Sequence, residues 1–186
     1  TKMIRSKDGS ITVVADYEPM SENKDNGVFG KYRQRPGQRD NSMVRQAHYD
    51  GVECTVVLPI DPAAAGKFQW QQQAKMFMSE GFKVIPDPMP SNKSKFKKFE
   101  PFCTAVQNGM VSIVEGSFPN KQTLDAWYKE LEAFTGERST GTLKDDWPDT
   151  AGSCFNAAIK HKVHKAFALP TISSPTMLSN HRNTTR

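Results

Sequence analysis

Cysteine and histidine are scarce, 3 and 4 among 186 residues. Cys54, Cys103 and Cys154 stand far apart with no C-x-x-C pair, which excludes a thiolate zinc module and a disulfide framework and leaves reduced, buried thiols as the expectation. His161 and His164 can share a helix face, but they sit among Lys160, Lys162 and Lys165 with no third ligand in sequence reach. A solvated basic face is the simpler reading. No apolar run approaches the roughly 18 residues of a membrane span. Thr1-Lys2-Met3-Ile4-Arg5 does not open a secretory leader, so a soluble intracellular chain is expected. The sequence also lacks G-x-x-x-x-G-K-S/T and any internal repeat, which excludes a P-loop ATPase within these residues.

The length suits one domain with a substantial core, expected over residues 1–167. Residues 168–186 are rich in Ser, Thr, Pro and Asn and read as a disordered tail. The net charge is +5, and its placement is uneven. Lys31, Arg33, Arg35 and Arg39 form one cluster; Lys93, Lys95, Lys97 and Lys98 form another around Phe96 and Phe99; the third is the lysine group at 160–165. Cations clustered in this way suit a polyanionic partner, and solubility charge on exposed faces is the plainer alternative.

Periodicity and punctuation predict the order of elements. Met3 to Arg5 and Ile11 to Tyr17 flank Lys7-Asp8-Gly9-Ser10, a hairpin signal. Glu18 to Pro36 reads as a polar excursion, and Gln38 to Tyr49 as a helix stopped by Asp50-Gly51. Cys54 to Ile60 is an apolar, β-branched run, the pattern of a parallel strand covered on both faces. A helix over Ala63 to Ser79 follows, with Phe68, Gln72, Met76 and Ser79 at helical spacing, then a strand over Phe82 to Ile85. Lys95 to Gln107 is a helix in which Pro101 marks a kink or a second start. Met110 to Val114 is a strand, Thr123 to Phe134 a helix with Leu124, Trp127, Leu131 and Phe134 on one face, and a last helix runs to about Lys165.

Two places concentrate acid. Lys144-Asp145-Asp146-Trp147-Pro148-Asp149-Thr150-Ala151 sets three carboxylates just before an apolar run, and Asp61 ends the Cys54–Ile60 run. Carboxylates at that density repel one another, so a divalent cation, a nearby base or solvation must offset them. The plainer reading is helix capping, since acids in a first turn meet the positive end of the helix dipole. An acid at the carboxyl end of a parallel strand also faces the crevice where α/β proteins bind ligands.

The order of hairpin, helix, strand, helix, strand, helix, strand, helix and acidic helix resembles the ribonuclease H-like fold, an α/β mixed sheet flanked by helices. The resemblance is closer to the carboxy-terminal nuclease domain of the large terminase subunit of tailed bacteriophages. It rests on Asp50-Gly51, Asp61-Pro62-Ala63-Ala64-Ala65-Gly66-Lys67, Lys95-x-x-Lys98-Phe99-x-Pro101, Asn108-Gly109-Met110-Val111, Trp127-Tyr128-Lys129-Glu130-Leu131-x-x-Phe134 and Lys144-Asp145-Asp146-x-x-Asp149-Thr150. A Holliday-junction resolvase or an integrase would share the acids but not the Trp127 to Phe134 pattern.

The resemblance implies a metal-dependent endonuclease module that cleaves concatemeric double-stranded DNA during packaging. Asp61, Asp145 and Asp146 would be catalytic and bind metal, with Asp149 as a further metal-site acid, and Mg2+ or Mn2+ in a two-metal site is implied. Lys93, Lys95, Lys97, Lys98 and Lys144 would contact DNA, and Lys95 and Lys98 match a basic pair in the family, here with Lys at a position that is often Arg. Implied partners are a terminase ATPase domain, the small terminase subunit and the portal protein, in the host cytoplasm at the procapsid, with no membrane. The family fold opens with a strand bearing the first catalytic aspartate just before the hairpin. Here the hairpin starts at Met3, so that strand is expected to be absent from this chain, and Asp16 is a poor substitute by topology. A longer polypeptide, a second chain supplying the strand, or a degenerate nuclease would each account for this. A catalytically incomplete DNA-binding or motor-interaction fragment is the alternative function.

Overall fold

The computed structural model describes residues 1–19, 24–25, 27–31, 34–61, 63–89, 94–136 and 144–160. The expected tail, Lys93 and the histidine pair lie outside them. The hairpin forms as expected from β1 (Lys2–Arg5) and β2 (Ile11–Val14), antiparallel with Met3 opposite Val13. Along β2, Ile11 and Val13 are buried while Thr12 and Val14 are less so, the alternation of a strand with one face on a core. The polar excursion holds a two-residue ladder of β3 (Lys24–Asp25) and β4 (Val28–Phe29). α1 (Pro36–Asp50) starts on its own proline and stops at Gly51. Gly51 has φ of 96°, a conformation that side chains resist.

Next come β5 (Thr55–Leu58), α2 (Ala64–Ser79), β6 (Lys83–Pro86), α3 (Lys95–Gln107), β7 (Val111–Ile113), α4 (Lys121–Glu132) and α5 (Asp146–Lys160). α3 runs through Pro101 without ending, so neither a break nor a second start is needed there. Asn120 caps α4 by accepting from Thr123 N at 2.8 Å. In α2 the residues facing the core are Ala74 and Phe77, and Phe68 is exposed. The helix forms where the spacing placed it, and its covered face is the one on which Phe77 packs against Phe82 and the β5–β6 pair.

The strands form a mixed sheet, ordered β1-β2-β7 with β7 parallel to β2, and a separate parallel pair of β5 and β6. Ile11 and Val13 meet Phe99, Phe102, Trp127, Trp147 and Phe155 in the larger core, while Leu58, Phe77, Phe82 and Val84 form a smaller one. α5 packs against α3, α4, β1 and β5. Its approach to α3 requires Gly152, where an added Cβ would lie 2.8 Å from Lys98 O. Between β1 and β5 a cleft of about 730 Å³ remains open. No helix among the described residues is long and apolar enough to cross a membrane.

Candidate functional site

Acids open α5, and the helix dipole favours them there: Asp146 and Asp149 lie in its first turn, just after Asp145. Three lysines converge on these acids. Lys95 and Lys98 occupy the first turn of α3, three positions apart and so on one helix face. Lys31 follows β4, which is tied to α4 by a bond from Phe29 N to Thr123 Oγ1 at 3.3 Å.

Each aspartate takes a lysine of its own. Lys95 Nζ lies 2.7 Å from Asp145 Oδ2. Lys31 Nζ lies 2.8 Å from Glu130 Oε2 and 3.0 Å from Asp146 Oδ2, with its ammonium 4.2 Å from the Trp147 ring centre. Glu130 Oε1 also accepts from Trp147 N at 2.8 Å, so α4 holds the start of α5 from a second side. Lys98 Nζ bridges Asp87 Oδ2 at 2.6 Å and Asp149 Oδ1 at 2.9 Å.

The Lys98 cluster is the most enclosed. The side chains of Lys98 and Asp87 are 8% and 2% exposed. Asp87 further accepts from Ser153 Oγ at 2.7 Å and from Met89 N at 2.9 Å. Burial pulls the Lys98 ammonium pKa down, but the hydrogen bonds to Asp87 and Asp149 outweigh it and hold the pKa above the ordinary lysine value. Lys98 is therefore a fixed cation, engaged with carboxylates rather than with solvent.

Asp61 stands on the loop after β5, with an exposed side chain. Its Oδ1 accepts from Ala63 N at 3.1 Å. The first residue of the helix is Ala64, so Asp61 closes a local turn just ahead of the N-cap. Gly66 packs onto Asp61 so closely that an added Cβ would lie 2.7 Å from Asp61 O. Lys97 and Lys144 are exposed. Asp16 Oδ1 accepts from Tyr49 OH at 3.0 Å.

Oxygen-only donors of this kind suit Mg2+ or Mn2+. Among the described residues, however, no three acid, histidine or cysteine side chains gather into a group that could hold a metal ion. Ammonium groups occupy the positions beside Asp145, Asp146 and Asp149. The arrangement as it stands does not fit a two-metal centre, and no catalytic step follows from it.

Asp87, Glu130 and Ser153 were not singled out from sequence, and Lys31 was noted only as part of a basic cluster. Asp87 carried a usable signal, since it directly follows strand β6, as Asp61 comes shortly after β5. Glu130 and Ser153 carried none, because a helical acid and a helical serine are ordinary surface residues until another element covers them.

Residues 5–160 match the sequence model of a family described as the terminase RNaseH-like domain. No curated protein and no solved structure matches the chain. The family match covers both acid-bearing segments and every lysine that meets α5. The chain belongs to the terminase RNaseH-like domain family, the RNase H-like nuclease module of terminases.

Proposed function

We propose that this chain is the endonuclease module of a viral DNA-packaging terminase, cleaving concatemeric double-stranded DNA with Mg2+ or Mn2+. The observation that carries the reading is the gathering of Asp145, Asp146 and Asp149 at the start of α5 in a chain of this family. Asp61, Asp145 and Asp146, with Asp149 beside them, are the proposed metal-binding acids, and the ion pairs with Lys31 and Lys95 must open for cations to enter. Lys95 and Lys97 are exposed and suit phosphate contacts together with Lys144. Lys98 reaches DNA only by leaving Asp87 and Asp149. The ATPase domain, small subunit and portal protein are the proposed partners, in the host cytoplasm.

A second reading is favoured by one observation: every acid at the start of α5 is already neutralised by a lysine. On that reading the chain binds DNA or the packaging motor without cutting. Supercoiled plasmid incubated with the protein and Mn2+ separates the two. The nuclease reading expects nicked and linear DNA, lost in Asp61→Asn and Asp145→Asn. Salt-sensitive DNA binding with no cleavage at any Mn2+ concentration supports the second reading and overturns the first.

A further inference from the structure

A second hollow, of about 490 Å³, lies where the chain leaving β2 meets α1 and the segment between β7 and α4. Its lining joins the rings of Tyr17, Phe29, Tyr49 and Phe118 to the carboxylates of Asp16 and Glu18. No cation stands among the described lining residues, although the chain as a whole carries a net charge of +5. A surface of this sign repels phosphate and attracts cations, so it does not share a ligand with the lysine clusters.

The pocket is held from several sides. Ser117 Oγ accepts from Ala15 N at 2.8 Å. α1 grips the next residues twice, with Gln46 Nε2 donating to Asp16 O and Gln46 Oε1 accepting from Glu18 N, both at 3.1 Å. Gly30 packs onto Tyr17 so closely that an added Cβ would lie 2.6 Å from the phenol oxygen. Tyr49 OH donates to Asp16 Oδ1 at 3.0 Å, which orients the carboxylate and leaves Oδ2 without a protein partner among the described residues.

Rings beside an oriented carboxylate suit a flat cation. A guanidinium stacks on aromatic faces and donates in a fork to a carboxylate. An ammonium is a compact point charge that loses the fork. An apolar ligand would use the rings and leave the acids to water. We propose that this pocket receives an arginine side chain presented by a partner protein, with its guanidinium on Asp16 and its stem against the aromatic lining.

The proposal does not rest on DNA cleavage, and its test reads none. The full chain, isotope-labelled, is titrated with millimolar acetyl-Gly-Ser-Arg-Ser-Gly-amide, and its backbone amide resonances are followed. Saturable shifts are expected at Tyr17, Glu18 and Phe118 and none at Asp146 or Thr150. The same peptide with citrulline in place of arginine keeps the shape and loses the charge, and is expected to bind about tenfold or more weakly. The lysine peptide should also bind more weakly than the arginine one. Asp16→Asn should cost the arginine peptide a similar factor, and because the citrulline comparison uses the unaltered chain, a misfolded variant would not blunt the test. Equal binding of the citrulline peptide would make the pocket a neutral aromatic groove and overturn the proposal. Equal binding of the lysine peptide would remove the case for a guanidinium, and saturation at the α5 acids instead, or no saturable shift, would overturn it as well. Shifts of the same amides by single-stranded oligothymidine would assign the rings to nucleic-acid bases. A concentration-dependent dimer of the peptide-free protein, lost in Asp16→Asn, would assign the pocket to a second copy; either result would overturn the proposed occupant.

Discussion

Replacing Lys98 by Met isolates what the buried ion-pair cluster contributes. The substitution keeps much of the side-chain volume and removes what is, among the described residues, the one ammonium within ion-pair distance of Asp87, whose side chain is 2% exposed. Ser153 and Met89 would still donate to that carboxylate, but its charge would have no counter-ion in a region of low dielectric. Breaking a buried pair in this way costs about 3–5 kcal/mol. At about 2–4 °C per kcal/mol for a chain of this size, the melting temperature should fall by about 6–20 °C. Asp149 contributes less, because its side chain is 37% exposed and solvent screens it. Lys98→Met combined with Asp87→Asn should recover most of the loss at neutral pH. Urea denaturation of the two single variants and the double variant across a pH series gives the coupling energy. A Lys98→Met cost under about 1 kcal/mol, or no recovery in the double variant, would refute the assignment of a buried, mutually dependent pair.

Three further outcomes follow from the same geometry. Burial raises the Asp50 carboxyl above its ordinary 3.8, against the opposing pull of Lys2; the unfolded chain then releases that proton more readily, so ionisation costs stability as pH rises through the folded pKa. Asp50→Asn is therefore expected to raise the melting temperature at neutral pH and to change little below about pH 3, and a uniform loss at all pH values would contradict it. Gly152→Ala places a Cβ 2.8 Å from Lys98 O and should cost about 1–3 kcal/mol by forcing α3 from α5, measured by urea denaturation; a neutral result would mean the helices are not in close contact there. Lys95→Ala with Lys97→Ala should weaken DNA binding alike for all sequences and flatten its salt dependence, as phosphate contacts do, and unchanged affinity across a salt titration would place DNA elsewhere.

Much of the fold was legible because local signals carried it. Asp8-Gly9 between β-prone runs set the hairpin, Gly51 stopped α1, and Asn108-Gly109 closed α3 at Gln107. These are backbone preferences of single residues, readable without knowing what packs where. The order of those elements together with the placement of Asp61, Asp145 and Asp146 sufficed to suggest the family, and the match over residues 5–160 bears that out. Which face of α2 is covered was not legible, because Phe68 and Phe77 are equally apolar in sequence and only the position of Phe82 and β6 decides it.

Tertiary structure alone decided the electrostatics of the site. From sequence, the α5 acids and the α3 lysines were two separate patches of opposite charge. The α3–α5 contact, made close by Gly152, superimposes them as the Lys95–Asp145 and Lys98–Asp149 pairs, while Lys31 reaches Asp146 from the residues after β4. Asp87 and Lys98 lie 11 positions apart on different elements, and their pairing depends on where β6 ends relative to α3. Sequence determines which groups can carry charge and which backbone turns are possible. Whether a charge meets water, a metal or a lysine depends on distances between elements remote in the chain, and those exist only once the cores have packed.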